Sequence, residues 1–196
     1  MINVNILVQG YAKELDDREL ATSTTTLIIK DDVNILVDPG MNRDRLLESL
    51  QEKDLSTGDI DYIILTHHHL DHSLLAGIFE NAKVLDDELI YSFEGNMKLY
   101  DGDIFGGDIE IIQTPGHDPF HCSVVVRNTE MGTIVVAGDV FWWSEDEEQR
   151  TDKKSLKEHE DPYAEDREEL RKSMNRVLKE ADYIIPGHGE MFEVRD

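Results

Sequence analysis

The sequence predicts an α+β domain that presents histidine and aspartate side chains at the ends of short strands. Five short apolar runs each lead into a His or an Asp, usually beside a glycine or a proline. Two longer segments, residues 43–53 and about 162–181, instead repeat apolar residues at helical spacing. Because glycine lets the backbone approach closely at a turn, strand ends of this kind can build a site on a rigid sheet.

Local patterns predict the elements in chain order. Residues 1–8 alternate as a first strand, and Cys122, the single cysteine, is expected to be buried in a core strand without a disulfide. The further predictions are a loop over 9–21, a hairpin of Thr22 to Lys30 with Val33 to Val37, helices over 43–53, 73–81 and about 162–181, and several short strands over 83–107.

The most informative stretch is Thr66-His67-His68-His69-Leu70-Asp71-His72, which follows the apolar run Tyr62-Ile63-Ile64-Leu65. In an extended exit from that strand, His67 and His69 point to one side and His68 to the other. Asp71 and His72 then open the helix predicted over 73–81. Imidazole nitrogen and carboxylate oxygen are ligands for zinc and iron(II), so two pairs of side chains can face two adjacent metals. A run of surface histidines is the alternative, but a tag-like run lies at a terminus and lacks the interleaved acid.

Four further residues follow apolar runs elsewhere in the chain. His117 ends Thr114-Pro115-Gly116-His117, Asp139 follows Ala137-Gly138, and His188 follows Pro186-Gly187. Asp38 lies in Val37-Asp38-Pro39-Gly40, where a simple Pro-Gly turn is the competing interpretation.

These residues resemble the metallo-β-lactamase-fold hydrolases along nearly the whole chain, in the order Asp38, the His-x-His-x-Asp-His run at 67–72, His117, Asp139 and His188. The resemblance implies a four-layer αβ/βα sandwich of two mixed sheets with helices on the outer faces. It also implies that His67, His69 and His117 hold a first metal, that Asp71, His72 and His188 hold a second, and that Asp139 bridges both. Asp38 would accept a hydrogen bond from the ligand loop. Independently, Asp-Tyr-Ile-Ile occurs at 61–64 and again at 182–185, which suggests a two-fold layout.

Differences between this chain and particular branches of the family narrow the predicted function. The antibiotic-hydrolysing subclass lacks the histidine corresponding to His72 and has a cysteine in place of Asp139, so this chain is nearer the thioesterase and lactonase branch. The flavodiiron branch has a glutamate where His69 stands. The extra domains of the nucleases and of the glutathione thioesterases have no counterpart here, so we expect a single domain over residues 1–196.

The chain carries 43 acidic against 19 basic residues, a formal net charge of −24. A field of this sign repels phosphate backbones and argues against nucleic acid as a partner. A need for solubility, or adaptation to a salty cytoplasm, would account for the same charge. No apolar run reaches the roughly 20 residues of a membrane span, and the first residues do not form a signal peptide, so a cytoplasmic location without membrane contact is expected.

Much of the charge lies after Asp139, in a segment over about 144–163 that reads either as a solvated loop or as a lid over the metals. Phe141, Trp142 and Trp143 precede it and could line a substrate pocket, form a homodimer contact, or pack under the loop. His159 is expected to be exposed, and His121 to be a strand-start histidine, although it could reach the pocket.

The function predicted is hydrolysis of an ester, thioester, lactone or similar bond of a small substrate, with two divalent ions supplying the nucleophilic hydroxide. Zinc is the first choice, and iron or manganese fit the same ligands. Asp71 could in addition orient the hydroxide or pass a proton to the leaving group. Three alternatives stay open: a mononuclear iron oxygenase acting on a thiol-derived substrate, a phosphodiesterase, and a catalytically silent metal-binding protein.

Overall fold

Two β-sheets face each other in the computed structural model, which describes residues 1–100 and 104–194. The strands are β1 (Asn3–Val8), β2 (Tyr11–Leu15), β3 (Arg18–Thr22), β4 (Thr25–Lys30), β5 (Val33–Val37), β6 (Tyr62–Ile64), β7 (Lys83–Leu85), β8 (Leu89–Tyr91), β9 (Met97–Leu99), β10 (Ile109–Gln113), β11 (Cys122–Thr129), β12 (Gly132–Trp142), β13 (Tyr183–His188) and β14 (Phe192–Glu193). The helices are α1 (Arg43–Glu52), α2 (Leu70–Ser73), α3 (Lys153–Glu158) and α4 (Arg167–Glu180), and single 3-10 turns cover Thr57–Asp59 and Ala76–Ile78.

Both sheets are mixed. The first has the order β1-β4-β5-β6-β7-β8-β9, and the second β10-β11-β12-β13-β14. Each contains parallel neighbours among antiparallel ones, β5 with β6 and β6 with β7 in the first sheet, β12 with β13 in the second. A separate hairpin is formed by β2 and β3. The ends of β5, β6, β12 and β13 meet at one edge of the sandwich.

Three apolar layers separate the sheets and helices. Side chains of both sheets, such as Ile35 and Val136, fill the layer between them. A second layer lies between α1 and the first sheet and includes Leu50. The third lies beneath α4, whose buried stripe includes Leu170 and Val177. Helices therefore cover both outer faces, and the predicted four-layer αβ/βα sandwich is confirmed.

Two element predictions were wrong. The helix expected over 73–81 is the four-residue α2 followed by a 3-10 turn. The helix does not continue because the N–H of Leu75 donates to the carbonyl of Gly40 over 3.1 Å, and Gly77 lies in the following turn, where a helix would be weak. Leu74 consequently lies 54% exposed. Residues 9–21 are not a loop, since most of them form the hairpin of β2 and β3.

The four-residue echo corresponds to a repeated structural role. The Asp61 carboxylate accepts a hydrogen bond from the backbone N–H of Asn34, over 2.8 Å, at the start of the neighbouring parallel strand. Asp182 does the same for Thr133 over 2.7 Å. The backbone N–H groups of both aspartates donate in return to the carbonyls of these same partners. One parallel strand pair in each sheet, β5 with β6 and β12 with β13, is thus clamped in the same way.

Cys122 is buried in β11, and its thiol donates to the carbonyl of Leu65 over 3.3 Å. Within residues 1–100 and 104–194, no helix has both the length and the apolarity to cross a membrane.

Candidate metal centre

The ligand loop leaves β6 in an extended path, so alternate side chains point in opposite directions. Nε2 of His67 lies 3.0 Å from Nδ1 of His69. His68 points away from both, and its Nε2 lies 3.4 Å from a carboxylate oxygen of Asp86. His67 is fully buried, whereas His69 faces solvent at the mouth of the site.

Asp38 holds the ligand loop at its start and at its end. Its carboxylate accepts hydrogen bonds from the backbone N–H and the hydroxyl of Thr66, over 2.8 and 2.7 Å. It also accepts the Nδ1–H of His72 over 2.8 Å. The third bond leaves Nε2 of His72 as the free nitrogen, directed away from Asp38.

His117 lies at the tip of the turn between β10 and β11. Gly116 has a φ of +136°, and the N-terminus of α4 packs directly on it, so a side chain would not fit there. The N–H of Asp166, the N-cap of α4, donates to the Gly116 carbonyl over 2.9 Å. Nδ1–H of His117 donates to the buried carboxylate of Asp161 over 2.7 Å, which directs Nε2 into the site.

Asp139 and His188 come from the parallel pair β12 and β13. Asp139 lies within β12 and not beyond its end, and the register with β13 shifts on either side of Gly138. Gly187 passes so close to the Asp139 carboxylate that no side chain could replace its hydrogen. Nδ1–H of His188 donates to the carbonyl of Tyr11 over 3.1 Å.

Side-chain nitrogens and oxygens converge in two adjacent groups. Nε2 of His117 lies 3.1 Å from Nδ1 of His69, and Nε2 of His188 lies 3.2 Å from the Asp71 carboxylate. One oxygen of Asp139 lies 3.3 Å from Nε2 of His117, and its other oxygen 3.3 Å from Nε2 of His72. The first group is His67, His69, His117 and Asp139, and the second is Asp71, His72 and His188. The two oxygens of Asp139 therefore face different groups.

The donor set fits divalent metal ions. Zinc–nitrogen bonds of about 2.0–2.1 Å in a tetrahedron place neighbouring ligand atoms about 3.3–3.4 Å apart, close to the separations found here. Among the described residues, two buried atoms have no hydrogen-bond partner: Nε2 of His72 and Oδ1 of Asp139, the carboxylate oxygen nearer to His72. Unsatisfied buried polar atoms are costly, and a shared cation would satisfy both.

Electrostatics favour the metal-binding form at two of the ligands, Asp139 and His67. At His72 and His117 burial lowers the pKa, but neighbouring carboxylates outweigh it and raise the pKa above 6.5. Burial alone would raise the pKa of Asp139, but His72 and His188 hold it well below its usual value, so the carboxylate is ionised. Burial, reinforced by neighbouring His72, lowers the pKa of His67 well below 6.5, so this imidazole is neutral. Metals bind carboxylates and neutral imidazoles.

A pocket of about 940 Å³ opens onto the centre. Its wall is formed by the β2–β3 hairpin on one side and by the segment after β12 on the other. Apolar lining residues include Leu20, Met41, Leu70 and Trp142, and the charged ones are Lys13, Glu14, Glu19, Asp146, Glu147 and Glu160, apart from the candidate ligands. The pocket is thus apolar in part and strongly acidic at its charged positions.

Of the three aromatic residues proposed for the pocket, only Trp142 lines it. Phe141 and Trp143 are 0% and 5% exposed and belong to the core beneath α4, so their assignment to a substrate pocket was wrong. The reason is strand alternation, since β12 continues to Trp142 and neighbouring side chains point to opposite faces. Trp142 instead packs beside Tyr163 and His188. Trp143 is also too deeply buried to form a homodimer contact.

The charged segment over 144–163 is not a free surface loop. It contains α3, whose Leu156 is buried in the core. His159 is half-buried with its ring 4.9 Å from that of Trp143, so its predicted exposure was wrong. Glu160 and Tyr163 form part of the pocket wall. The segment therefore packs on the core and forms one side of the site.

Two residues that touch the centre were not assigned from the sequence. Asp161 orients His117, but it lies among other acids and nothing in the pattern distinguishes it. His121 is buried, and its Nε2 accepts the backbone N–H of Asp139 over 3.1 Å. Burial lowers the pKa of His121 to about 3, so it is neutral.

The fold and the centre define a metal-binding α+β sandwich, and the family follows from comparison with known proteins. The metallo-beta-lactamase superfamily model matches residues 19–188. The chain belongs to this superfamily, whose members are generally metal-dependent hydrolases.

Named relatives support the assignment. The chain is 32% identical to metallo-beta-lactamase domain-containing protein 1 of Xenopus laevis, over 98% of this chain and 82% of that protein. It is 37% identical to the protein of the same name from Rattus norvegicus over 82% of this chain, and spans 63% of that protein's length.

Solved structures share the fold. A Thermotoga maritima protein assigned to the metallo-beta-lactamases superposes with a TM-score of 0.76 and 21% identity, covering 98% of this chain and 99% of its own. A quorum-quenching N-acyl homoserine lactone lactonase superposes with a TM-score of 0.68 and 20% identity, covering 95% and 91%.

Proposed function

We propose that the protein is a dinuclear, zinc-dependent hydrolase of small esters, thioesters or lactones. The observation that carries the proposal is the placement of Asp139, whose two carboxylate oxygens face two separate groups of ligand atoms. A carboxylate in this position suits two ions that share one ligand. When bound, such ions supply a nucleophile from water near neutral pH and polarise the scissile carbonyl.

The residues of the chain have separate tasks in this reaction. Asp38, Asp161 and the Tyr11 carbonyl each accept the Nδ1–H of a histidine, which fixes the tautomer and directs Nε2 inward. Asp71 lines the pocket and is more exposed than Asp139. Its carboxylate is therefore the group placed to receive a proton and return it to the leaving group.

The pocket favours substrates that are uncharged and partly apolar. Leu20, Met41 and Leu70 remain 39%, 37% and 66% exposed along its wall, so a substrate chain would cover apolar surface there. A lactone with an acyl chain, the substrate type in the name of the lactonase with this fold, has this character.

The acidic lining argues against anionic substrates. Glu14, Glu19, Glu147 and Glu160 line the pocket, and Lys13 is paired with Glu145 over 3.1 Å. A phosphodiester would meet repulsion at this opening, so we place it behind neutral carbonyl substrates.

The proposal is tested by elemental analysis of metal per chain, on protein purified without added metal or chelator. Wild type is expected to hold about two zinc ions, and Asp139→Ala far fewer. His68→Ala is the matched control, since His68 lies in the same motif but points towards Asp86, and it should retain both ions. A single iron per chain in the wild type would contradict the proposal and favour the mononuclear oxygenase. With two zinc ions present, neutral lactones and thioesters are the first substrates to assay.

A further inference from the structure

The turn that carries Asp139 is held on both sides by a chain of buried hydrogen bonds. Oγ of Ser123 donates to the carbonyl of Ala137 over 3.1 Å, and Nε2 of His121 accepts the N–H of Asp139 over 3.1 Å. Oγ1 of Thr114 lies between them, 2.8 Å from the Ser123 hydroxyl and 2.9 Å from Nδ1 of His121. The chain joins the peptide groups that flank Gly138.

The direction of every bond in this chain is fixed. Because the Ser123 proton goes to a carbonyl, the hydroxyl of Thr114 must donate to Ser123. The Thr114 oxygen then accepts Nδ1–H of His121, which leaves Nε2 as the acceptor for the backbone N–H. His121 is thereby held as one tautomer, and both of its ring nitrogens are in use.

The turn needs such support because the strand ladder does not provide it. Gly138 has a φ of +54°, and the β12–β13 register shifts on both sides of it. An added Cβ at Gly138 would lie 2.7 Å from Nε2 of His121 and 2.7 Å from the Thr66 hydroxyl. The ring of His121 therefore packs closely against the bend from which Asp139 projects.

We infer that His121, held by Thr114 and Ser123, positions the Asp139 carboxylate between the two groups of metal ligands. The inference rests on the proposed dinuclear centre. His121 is a positioning residue, because it contacts the backbone of Asp139 and directs neither nitrogen to the ligand atoms. The competing role, a buried histidine that merely satisfies its own hydrogen bonds, predicts no effect on metal binding beyond a general loss of stability.

The test is Thr114→Val, which removes the hydroxyl that joins Ser123 to His121 while preserving the volume of the side chain. Zinc affinity, measured by competition with a chromogenic chelator, is expected to fall 10- to 100-fold, in the range found when outer partners of metal ligands are removed. The visible absorption of the cobalt-substituted protein should change as well. Thr114→Ser restores the hydroxyl and should restore both readouts.

Thr26→Val is the matched control, because the buried Thr26 hydroxyl has no hydrogen-bond partner among the described residues. Equal weakening by Thr26→Val and Thr114→Val would overturn the inference, as would wild-type affinity and spectrum in Thr114→Val. Ser123→Ala breaks the same chain at its other end and gives the same readout if Thr114→Val does not fold. If the wild type binds fewer than two ions, the dinuclear centre is refuted. If the wild type binds two ions and the variants keep its zinc affinity and cobalt spectrum, only the role of His121 is refuted.

Discussion

The carboxylate of Asp161 lies 2.7 Å from Nδ1 of His117 and accepts the proton of that nitrogen. Both side chains are buried, so neither is oriented by water. The other oxygen of the Asp161 carboxylate accepts the backbone N–H of Tyr163. In Asp161→Asn one of these two oxygens becomes an NH2 group, so the side chain can no longer accept both hydrogen bonds and His117 loses its fixed tautomer. We expect zinc affinity to fall 10- to 100-fold, measured by chelator competition. Glu158→Gln, a nearby exposed acid, should leave it unchanged.

Removal of one ligand from the second group should leave the first ion in place. His188 belongs only to the group of Asp71 and His72. Elemental analysis of His188→Ala is expected to give about one ion per chain, because the three histidines of the first group and Asp139 remain. Hydrolysis should fall steeply even so, since the proposed reaction uses both ions. Retention of two ions, or the loss of both, would contradict the division into two groups.

Gly138→Ala should destabilise the bend of β12 that carries Asp139. The methyl group would meet His121 and Thr66 in a backbone conformation that favours glycine. Strain and overpacking together are expected to cost about 2–3 kcal/mol, which lowers the melting temperature of the metal-free protein by roughly 5–10 °C. Gly77→Ala is the control, because no atom of the described residues, apart from those of its own turn, lies within 4 Å of the position of its added Cβ. Equal melting temperatures for the two variants would refute the packing argument.

Asp87 gives a pH dependence away from the metal centre. Burial, with the neighbouring charges of Asp86 and Glu88, raises the pKa of Asp87 from 3.8 to about 6. The folded state therefore binds more protons than the unfolded state between about pH 4 and 6, and the contribution of this group to stability is lost as pH rises through that window. Asp87→Asn removes this pH-dependent loss of stability, because the amide does not ionise.

The expected gain for Asp87→Asn is about 1 kcal/mol at pH 7.5, because partial exposure of the side chain screens the effect, and it corresponds to about 2–4 °C in melting temperature. Near pH 3.5 the gain should vanish. Thermal melts of wild type and variant at both pH values check this. Glu80→Gln, at an exposed acid, should show no such difference between the two pH values.

Salt should discriminate between substrates of different charge. The acidic pocket lining repels anions, and added salt screens that repulsion over a Debye length of about 10 Å at 0.1 M. For two esters of equal size, kcat/KM of the anionic one should rise as NaCl increases from 0.02 to about 0.5 M, while that of the neutral one stays level. An anionic ester that is hydrolysed faster at low salt would contradict the proposed preference.

The candidate ligands could be identified from the sequence because their signal is local. His67, His69, Asp71 and His72 lie within six residues, and His117 and His188 each follow a glycine at the end of an apolar run. Local pattern also located α1 and all of α4, although α4 begins about five residues later than predicted. These elements depend on contacts that the periodicity of the chain encodes directly.

Contacts between distant segments left no such signal. Asp161 meets His117 across 44 positions, and its neighbours in sequence are acids of the same kind. The loss of helix after Ser73 depends on the carbonyl of Gly40, which the sequence around residue 75 does not reveal. The error at Phe141 and Trp143 was avoidable, since alternation extended through β12 would have placed them opposite Trp142.

The Asp61 and Asp182 clamps give each half of the molecule its own parallel strand pair, but neither half contains a complete centre. His67, His69, Asp71 and His72 come from the first half of the chain, and His117, Asp139 and His188 from the second. A chain emerging during synthesis thus has no finished site until its last strands dock. In the proposed dinuclear centre, metal would load only after the two sheets assemble. The ions would then join the halves by coordination, in addition to the apolar packing and the hydrogen bonds that already connect them.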